Sequence, residues 1–314
     1  MTSSIFSQLF QTLLVVLLAP LLLGWVNQCR AWLQNKSGAG VLQPYRVLHK
    51  LFHKDAVLAE NASSLFRTAP YVQFACMVLV ASIVPMVATD LPFAAAADVI
   101  ALVGLFALAR LFAALAGMDV GTAFGSMGAR REMLVASLAE PALLMILFTP
   151  SLIAQSTSLT TIVEVLAHHR FVLYPSLAFA AVAFAMVALA ENARIPIDNP
   201  ATHLELTMIH EAMILEYSAR HLALIEWASA IKLANYSAVG IALFLPWGIA
   251  AAGDWQAIPF ALAALLLKLL LGGAALALLE TLSAKMRIFR APEFLGTAFL
   301  LAVLGMLARL LLER

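Results

Sequence analysis

Three features of this sequence predict an all-α polytopic membrane protein, with about eight transmembrane helices and amphipathic cytoplasmic-side helices. Of its 314 residues 63% are hydrophobic and only 12% charged, against roughly half and a quarter in a soluble domain. The apolar residues gather into runs of about 20, the length that spans the hydrocarbon of a bilayer. The basic residues fall almost wholly in alternate loops.

The apolar runs lie at roughly 4–25, 70–90, 97–117, 133–154, 170–191, 222–250, 256–280 and 292–312. Residues 1–314 form one membrane domain, with no soluble domain, low-complexity tract or internal repeat. Pro85, Pro141 and Pro246 are expected to kink their helices, because each removes a backbone donor. The first run lacks a basic leader and a small-x-small cleavage site, so no cleavable secretory signal is expected.

Loops after the first, third, fifth and seventh runs hold Arg30, Lys36, Arg46, Lys50, Lys54, Arg67, Arg130, Arg131, Arg194, Arg220, Lys285, Arg287 and Arg290. The intervening loops hold only Arg170. The positive-inside rule then places the large loops in the cytoplasm and both termini outside. In the first of those loops Val47, Leu48, Leu51 and Phe52 recur at helical spacing among Arg46, His49, Lys50 and Lys54. That pattern predicts a helix lying in the membrane interface.

The formal net charge of +1 points to no nucleic-acid partner. Cys29 and Cys76 are too few for an iron–sulfur cluster or a cysteine-based zinc site. His203, His210 and Glu211 match no zinc motif, and no glycine-rich phosphate loop or catalytic triad occurs. No metal, cofactor or catalytic residue is therefore expected on this chain.

The chemistry sits elsewhere. Five of the 18 carboxylates fall between Glu191 and Arg220: Glu191, Asp198, Glu205, Glu211 and Glu216. Asn199-Pro200 is a helix-start signal, and a helix from there would put His203, Thr207 and Glu211 on one face. Glu216 would pair with Arg220 at i,i+4. Interleaved Leu204, Leu206, Met208, Ile209, Met213, Ile214 and Leu215 make this segment too apolar for a solvated loop. It must be buried under the bundle or a docked partner.

Further charges stand inside the apolar runs: Arg110, Glu140, Lys232 and Lys268, with Glu191 and Glu280 at run ends. Each costs at least about 2.5 kcal/mol if unpaired near mid-membrane. Nearly all occupy the cytoplasmic half, where carboxylates and lysines sharing a wet cavity can pass protons. Isolated structural ion pairs are the competing reading. It accommodates any one residue more easily than the whole set.

Several separated motifs carry a family resemblance. They are Val41-Leu42-Gln43-Pro44 with Lys50-Leu51-Phe52-His53-Lys54-Asp55; Gly128-Ala129-Arg130-Arg131-Glu132 followed by Glu140; Ala190-Glu191, Arg194-x-Pro196-x-Asp198 and Glu205-Leu206; Glu216-Tyr217-Ser218; and Glu280 with Lys285-Met286-Arg287. In this order they resemble the complex I subunit 1 family, above all its relatives in membrane-bound group 4 NiFe hydrogenases of the formate hydrogenlyase and hydrogenase-4 type. The resemblance covers most of the chain. It implies an inner-membrane subunit that docks a peripheral electron-transfer arm and begins a proton or sodium path toward antiporter-like subunits. Partners would be hydrogenase-like large and small subunits carrying the iron–sulfur clusters and a nickel–iron centre.

By the same resemblance Glu140, Glu191, Asp198, Glu205 and Glu216 are path residues, with Arg131 and Arg194 as charge partners. Position in the apolar runs and acidic loop adds Glu211, Lys268 and Glu280 to the path, and Arg110, Arg130, Arg220 and Lys232 to the partners. Lys36-Ser37-Gly38-Ala39 replaces the family's Arg-Arg-Gly-Pro. That departure favours the hydrogenase-like branch over a quinone-site subunit of a complex I type NADH:quinone oxidoreductase, and a stand-alone secondary transporter ranks lower still.

Overall fold

A computed structural model describes residues 2–89, 97–168, 174–198, 208–251 and 254–313. In chain order its helices are α1 (Thr2–Leu33), α2 (Gln43–Phe52), α3 (Ser64–Ile83), α4 (Val99–Asp119), α5 (Ala123–Ala154), α6 (Leu159–His168), α7 (Pro175–Glu191), α8 (His210–Ile214), α9 (Ala219–Phe244), α10 (Ile258–Leu282) and α11 (Ala291–Leu312). No strand occurs among the described residues. Each of the eight apolar runs overlaps one of these helices.

Six helices, α1, α3, α4, α5, α10 and α11, are long and apolar enough to cross a membrane by length and composition. Helix α7 is apolar but has only 17 residues. Helix α9 has 26, with Glu226, Lys232 and Asn235 inside it. It lies at the centre of the bundle, packed on α1, α2, α3 and α7. A helix surrounded in this way can present polar groups to other helices rather than to lipid.

Two prolines end helices where kinks were expected. Helix α3 stops at Ile83 because Val84, the residue before Pro85, is extended, with φ −79° and ψ 119°. Helix α9 stops at Phe244, one residue before Leu245-Pro246. Only Pro141 lies within its helix, α5. Helix α3 also begins earlier than expected, at Ser64, where the Ser63 hydroxyl caps the Leu65 amide at 3.0 Å.

Helix α5 begins at Ala123 rather than near 133, with Thr122 accepting the Gly125 amide. The glycines here permit close approach. A Cβ on Gly125 would meet the Gly117 carbonyl oxygen at 2.4 Å, and one on Gly128 would meet the Ile209 carbonyl at 2.9 Å. Helices α4 and α5 thereby form a tight hairpin, against which α8 is pressed.

The interfacial helix expected over 45–54 is α2. Its Leu48 and Leu51 are buried against Ala223 of α9, while Arg46, His49 and Lys50 are exposed. Helix α6 was not expected; its short apolar stretch packs on α5 and α9. The helix start at Asn199-Pro200, with His203, Glu205 and Thr207, lies outside the described residues. Only α8 continues that segment, and Tyr217 anchors it, its ring stacked on Phe66 at 3.9 Å and its hydroxyl donating to the Phe66 carbonyl at 2.8 Å. Burial and the nearby Asp119 carboxylate push the Tyr217 phenol up from its ordinary value, so it remains a donor.

Candidate functional site: a buried charge cluster

Helices α4, α5, α7 and α9 bring five ionisable side chains together. Arg110 of α4 is at the centre, its side chain 3% exposed. Its guanidinium meets Glu132 at 3.1 Å, Glu140 at 3.8 Å and the Glu191 carboxylate. Lys232 of α9 reaches the same Glu191 oxygen at 3.1 Å. Ionised, the group sets two cations against three carboxylates, so one negative charge is in excess.

That imbalance matters where Arg110 and Glu191 are almost fully buried. A lone buried charge costs several kcal/mol even after the protein relaxes, so the cluster is relieved by taking up one positive charge. A cavity of about 60 Å³ adjoins it, lined in part by Gln73, Glu132, Asn192, His210 and Ser229. One water needs about 10–15 Å³ and a few polar partners, and this space supplies both.

The chain after α7 explains how Glu191 comes to lie so deep. Lys232 is 13 residues beyond the start of α9, about 20 Å along the axis, yet it touches the last residue of α7. Helix α7 therefore stops inside the bundle, and residues 192–198 form an inserted turn. Non-helical backbone at membrane depth is tolerated where protein or a wet cavity surrounds it. Here Arg194, Ile197 and Asp198 are all buried.

This turn organises two smaller charge groups. Arg194 meets Glu280 of α10 at 3.0 Å, and Arg30 of α1 meets the other Glu280 oxygen at 3.4 Å. Two arginines share one carboxylate, so this group carries an excess positive charge. Asp198 pairs with Lys285 at 3.6 Å and accepts the His210 amide at 3.2 Å.

Glu280→Gln is accordingly expected to lower stability by about 3 kcal/mol, since it strands buried Arg194 without a carboxylate. Arg30, with 24% of its side chain exposed, can rehydrate. Thermal unfolding of the purified protein in detergent checks this, and an unchanged midpoint contradicts it.

Not every expected residue joins these groups. Lys268 turns away: its ammonium donates to the Leu245 carbonyl at 2.7 Å and to the Trp247 carbonyl, and sits 4.1 Å from the centre of the Trp247 ring. Arg131 donates to the Met208 carbonyl at 2.8 Å and so holds the α8 segment. Glu211 is half-buried on α8, and Arg130 is exposed. Glu216 and Arg220 are both exposed, and the break in helix between Ile214 and Ala219 prevents their i,i+4 pairing. Glu205 lies outside the described residues.

Two half-buried carboxylates were not among the expected path residues. Glu132 falls in a loop if α5 starts at 133, as the apolar run suggests. Glu226 of α9 lines a second cavity of about 410 Å³, between α1, α2 and α9, together with Arg30 and Lys36. A charge inside an apolar run was the signal that could have found Glu226. Among the described residues no three histidine, cysteine, aspartate or glutamate side chains converge as a metal site.

Comparison with known proteins bears on what such a bundle belongs to. The family model described as NADH dehydrogenase matches residues 7–310. Formate hydrogenlyase subunit 4 of Escherichia coli (strain K12) is 31% identical over 307 residues, covering 98% of this chain and 99% of that protein. The chain belongs to the NADH dehydrogenase (complex I subunit 1-like) family. Hydrogenase-4 component C of the same organism is 36% identical over 264 residues, 84% of this chain and 82% of its own. In fold, the chain is similar to one in the structure of the membrane-bound sulfane sulfur reductase, an archaeal respiratory membrane complex. The TM-score is 0.83, at 17% identity, covering 96% of this chain and 99% of the other. This family member thus keeps a common bundle through wide divergence in sequence.

Proposed function

We propose that the chain is the membrane subunit of a hydrogenase-like, complex I related redox complex in the inner membrane, where it docks a peripheral electron-transfer arm and begins an ion path. The observation that carries this reading is the five-membered cluster at Glu191, whose odd charge makes it a site that gains and loses a positive ion. Arg194 lies three residues after Glu191, on the inserted turn that follows α7. A change of charge at the first therefore reaches Glu280 through the second.

The path residues are Glu140, Glu191 and Glu280, with Glu132 added, and Arg110, Lys232 and Arg194 are their charge partners. Asp198 with Lys285 extends the path toward the basic end of the bundle, which the loop charges assign to the cytoplasm. Lys268 stands apart from this route. The likeness to formate hydrogenlyase subunit 4 and hydrogenase-4 component C supports hydrogenase-like large and small subunits and antiporter-like membrane subunits as partners, with the iron–sulfur clusters and nickel–iron centre held by them.

Isolation of the tagged chain in mild detergent tests the reading. Copurification of a hydrogenase-type large subunit and an antiporter-like membrane protein is the expected outcome. A chain that purifies alone and transports ions in liposomes without a redox partner contradicts it.

A further inference from the structure

Between α1 and α10 on one side and α7 and α9 on the other lies a crevice of about 490 Å³. Hydrocarbon lines most of it, including Phe184, Leu233, Leu269 and Leu276. It opens beside Leu271 and Leu279, which are 62% and 47% exposed. Polar groups gather at its ends. Arg194 and Asn192 stand at the basic end with Leu279, and Lys268 and Trp247 stand at the other.

The dimensions select the occupant. From Leu279 to Lys268 is 11 residues of α10, about 16 Å. Over that length the crevice is long and narrow, with its apolar wall running along α10. An extended acyl chain fits along it. Protein interiors rarely leave apolar voids of this size, and bilayer lipid is the hydrocarbon at hand.

Charge selects the headgroup. Arg194 lines the crevice where α10 nears its end, and it shares its one carboxylate partner, Glu280, with Arg30. The excess positive charge stands within a turn of the ends of α1 and α10. At the far end the Lys268 ammonium is satisfied by two backbone carbonyls and the Trp247 ring, so it closes the channel without a ligand anion.

We infer that this crevice is a binding site for one anionic phospholipid of the cytoplasmic leaflet, with an acyl chain lying along α10 and the phosphate at Arg194. Its apolar wall lies outside the charge cluster at Glu191 and the cavity beside α2, and Asn192 lines both the crevice and the cavity at Glu191. Gly272 forms part of its wall and has no atom within 4 Å of where a Cβ would stand. A larger side chain there fills the channel without straining the fold.

The test counts lipid per copy of this chain, so it does not depend on which partners copurify. The protein, with whatever complex it brings, is delipidated in detergent, incubated with palmitoyl-oleoyl phosphatidylglycerol or with the matching phosphatidylcholine, and read by native mass spectrometry. Wild type is expected to retain one phosphatidylglycerol in preference to phosphatidylcholine. Gly272→Trp is expected to lower that retention about tenfold or more, since displacing a couple of buried methylenes shifts affinity by such a factor. Gly296→Leu, which also fills open space but on α11, is expected to leave retention unchanged and shows that the fold persists. Equal retention of both lipids, equal retention by Gly272→Trp, or recovery of an isoprenoid quinone in place of phospholipid would each overturn the assignment.

Discussion

Glu191→Gln is expected to abolish ion translocation while the protein still folds and assembles. The carboxylate binds Arg110 and Lys232 together. Replacing it with an amide of the same shape leaves two cations facing Glu132 and Glu140, a balanced set with no reason to take up another positive charge. Balance preserves the fold, and loss of the excess charge removes the exchange site. In inverted membrane vesicles, redox turnover should continue while the accompanying pH or sodium gradient falls about tenfold or more, the change produced by a shift of about 1.4 kcal/mol in occupancy. Glu140→Gln should act in the same direction but more weakly, since Glu140 lies 3.8 Å from Arg110 with 34% of its side chain exposed. Full pumping by both variants would refute the relay.

Arg110→Ala is expected to act on stability instead. Removing the one cation that meets three carboxylates leaves them repelling one another in a largely buried site. Breaking a buried ion pair from one side costs about 3–5 kcal/mol, a large share of a typical stability of about 5–15 kcal/mol. Little of the protein should accumulate in membranes, as read by immunoblot and by thermal unfolding of what remains. Arg110→Lys keeps the charge but cannot reach three carboxylates from one compact ammonium, so it should recover part of the loss. Combining Arg110→Ala with Glu191→Gln should also be milder than Arg110→Ala alone, because one negative charge leaves with the positive one. A double variant no better than the single would mean that the cluster is not held by charge balance.

Much of this was legible in the sequence, for physical reasons that also set the limit. Apolar runs of bilayer length can be only helices in an all-α chain, so the segments were found. Their ends depended on local chemistry that hydropathy does not weigh. Val84 and Leu245 precede prolines and stop their helices early, whereas α5 begins at Ala123, ahead of the apolar run expected from 133. That earlier start is what brings Glu132 into the helix. Arg110, Glu140, Glu191 and Lys232 were singled out because a charge among apolar residues must find a partner. Which partner each takes is fixed by helix rotation, and the almost uniformly apolar α10 gives no rotational signal. Hence Lys268 and Glu280, on one helix, serve different ends of the bundle: one binds the carbonyls after α9, the other the arginines of the inserted turn and α1. The depth of that turn was equally hidden: its segment was expected to be buried under the bundle or a partner, and only the contact of Glu191 with Lys232 shows how far in it lies.

The central claim is that Glu191 belongs to a shared site whose protonation or ion occupancy changes with the redox state of a neighbouring arm. Redox-induced infrared difference spectroscopy on the purified complex tests it most directly. A carboxyl band is predicted to appear or vanish on reduction in wild type, shift in heavy water, and be absent in Glu191→Gln. An identical difference spectrum in both proteins would contradict the account.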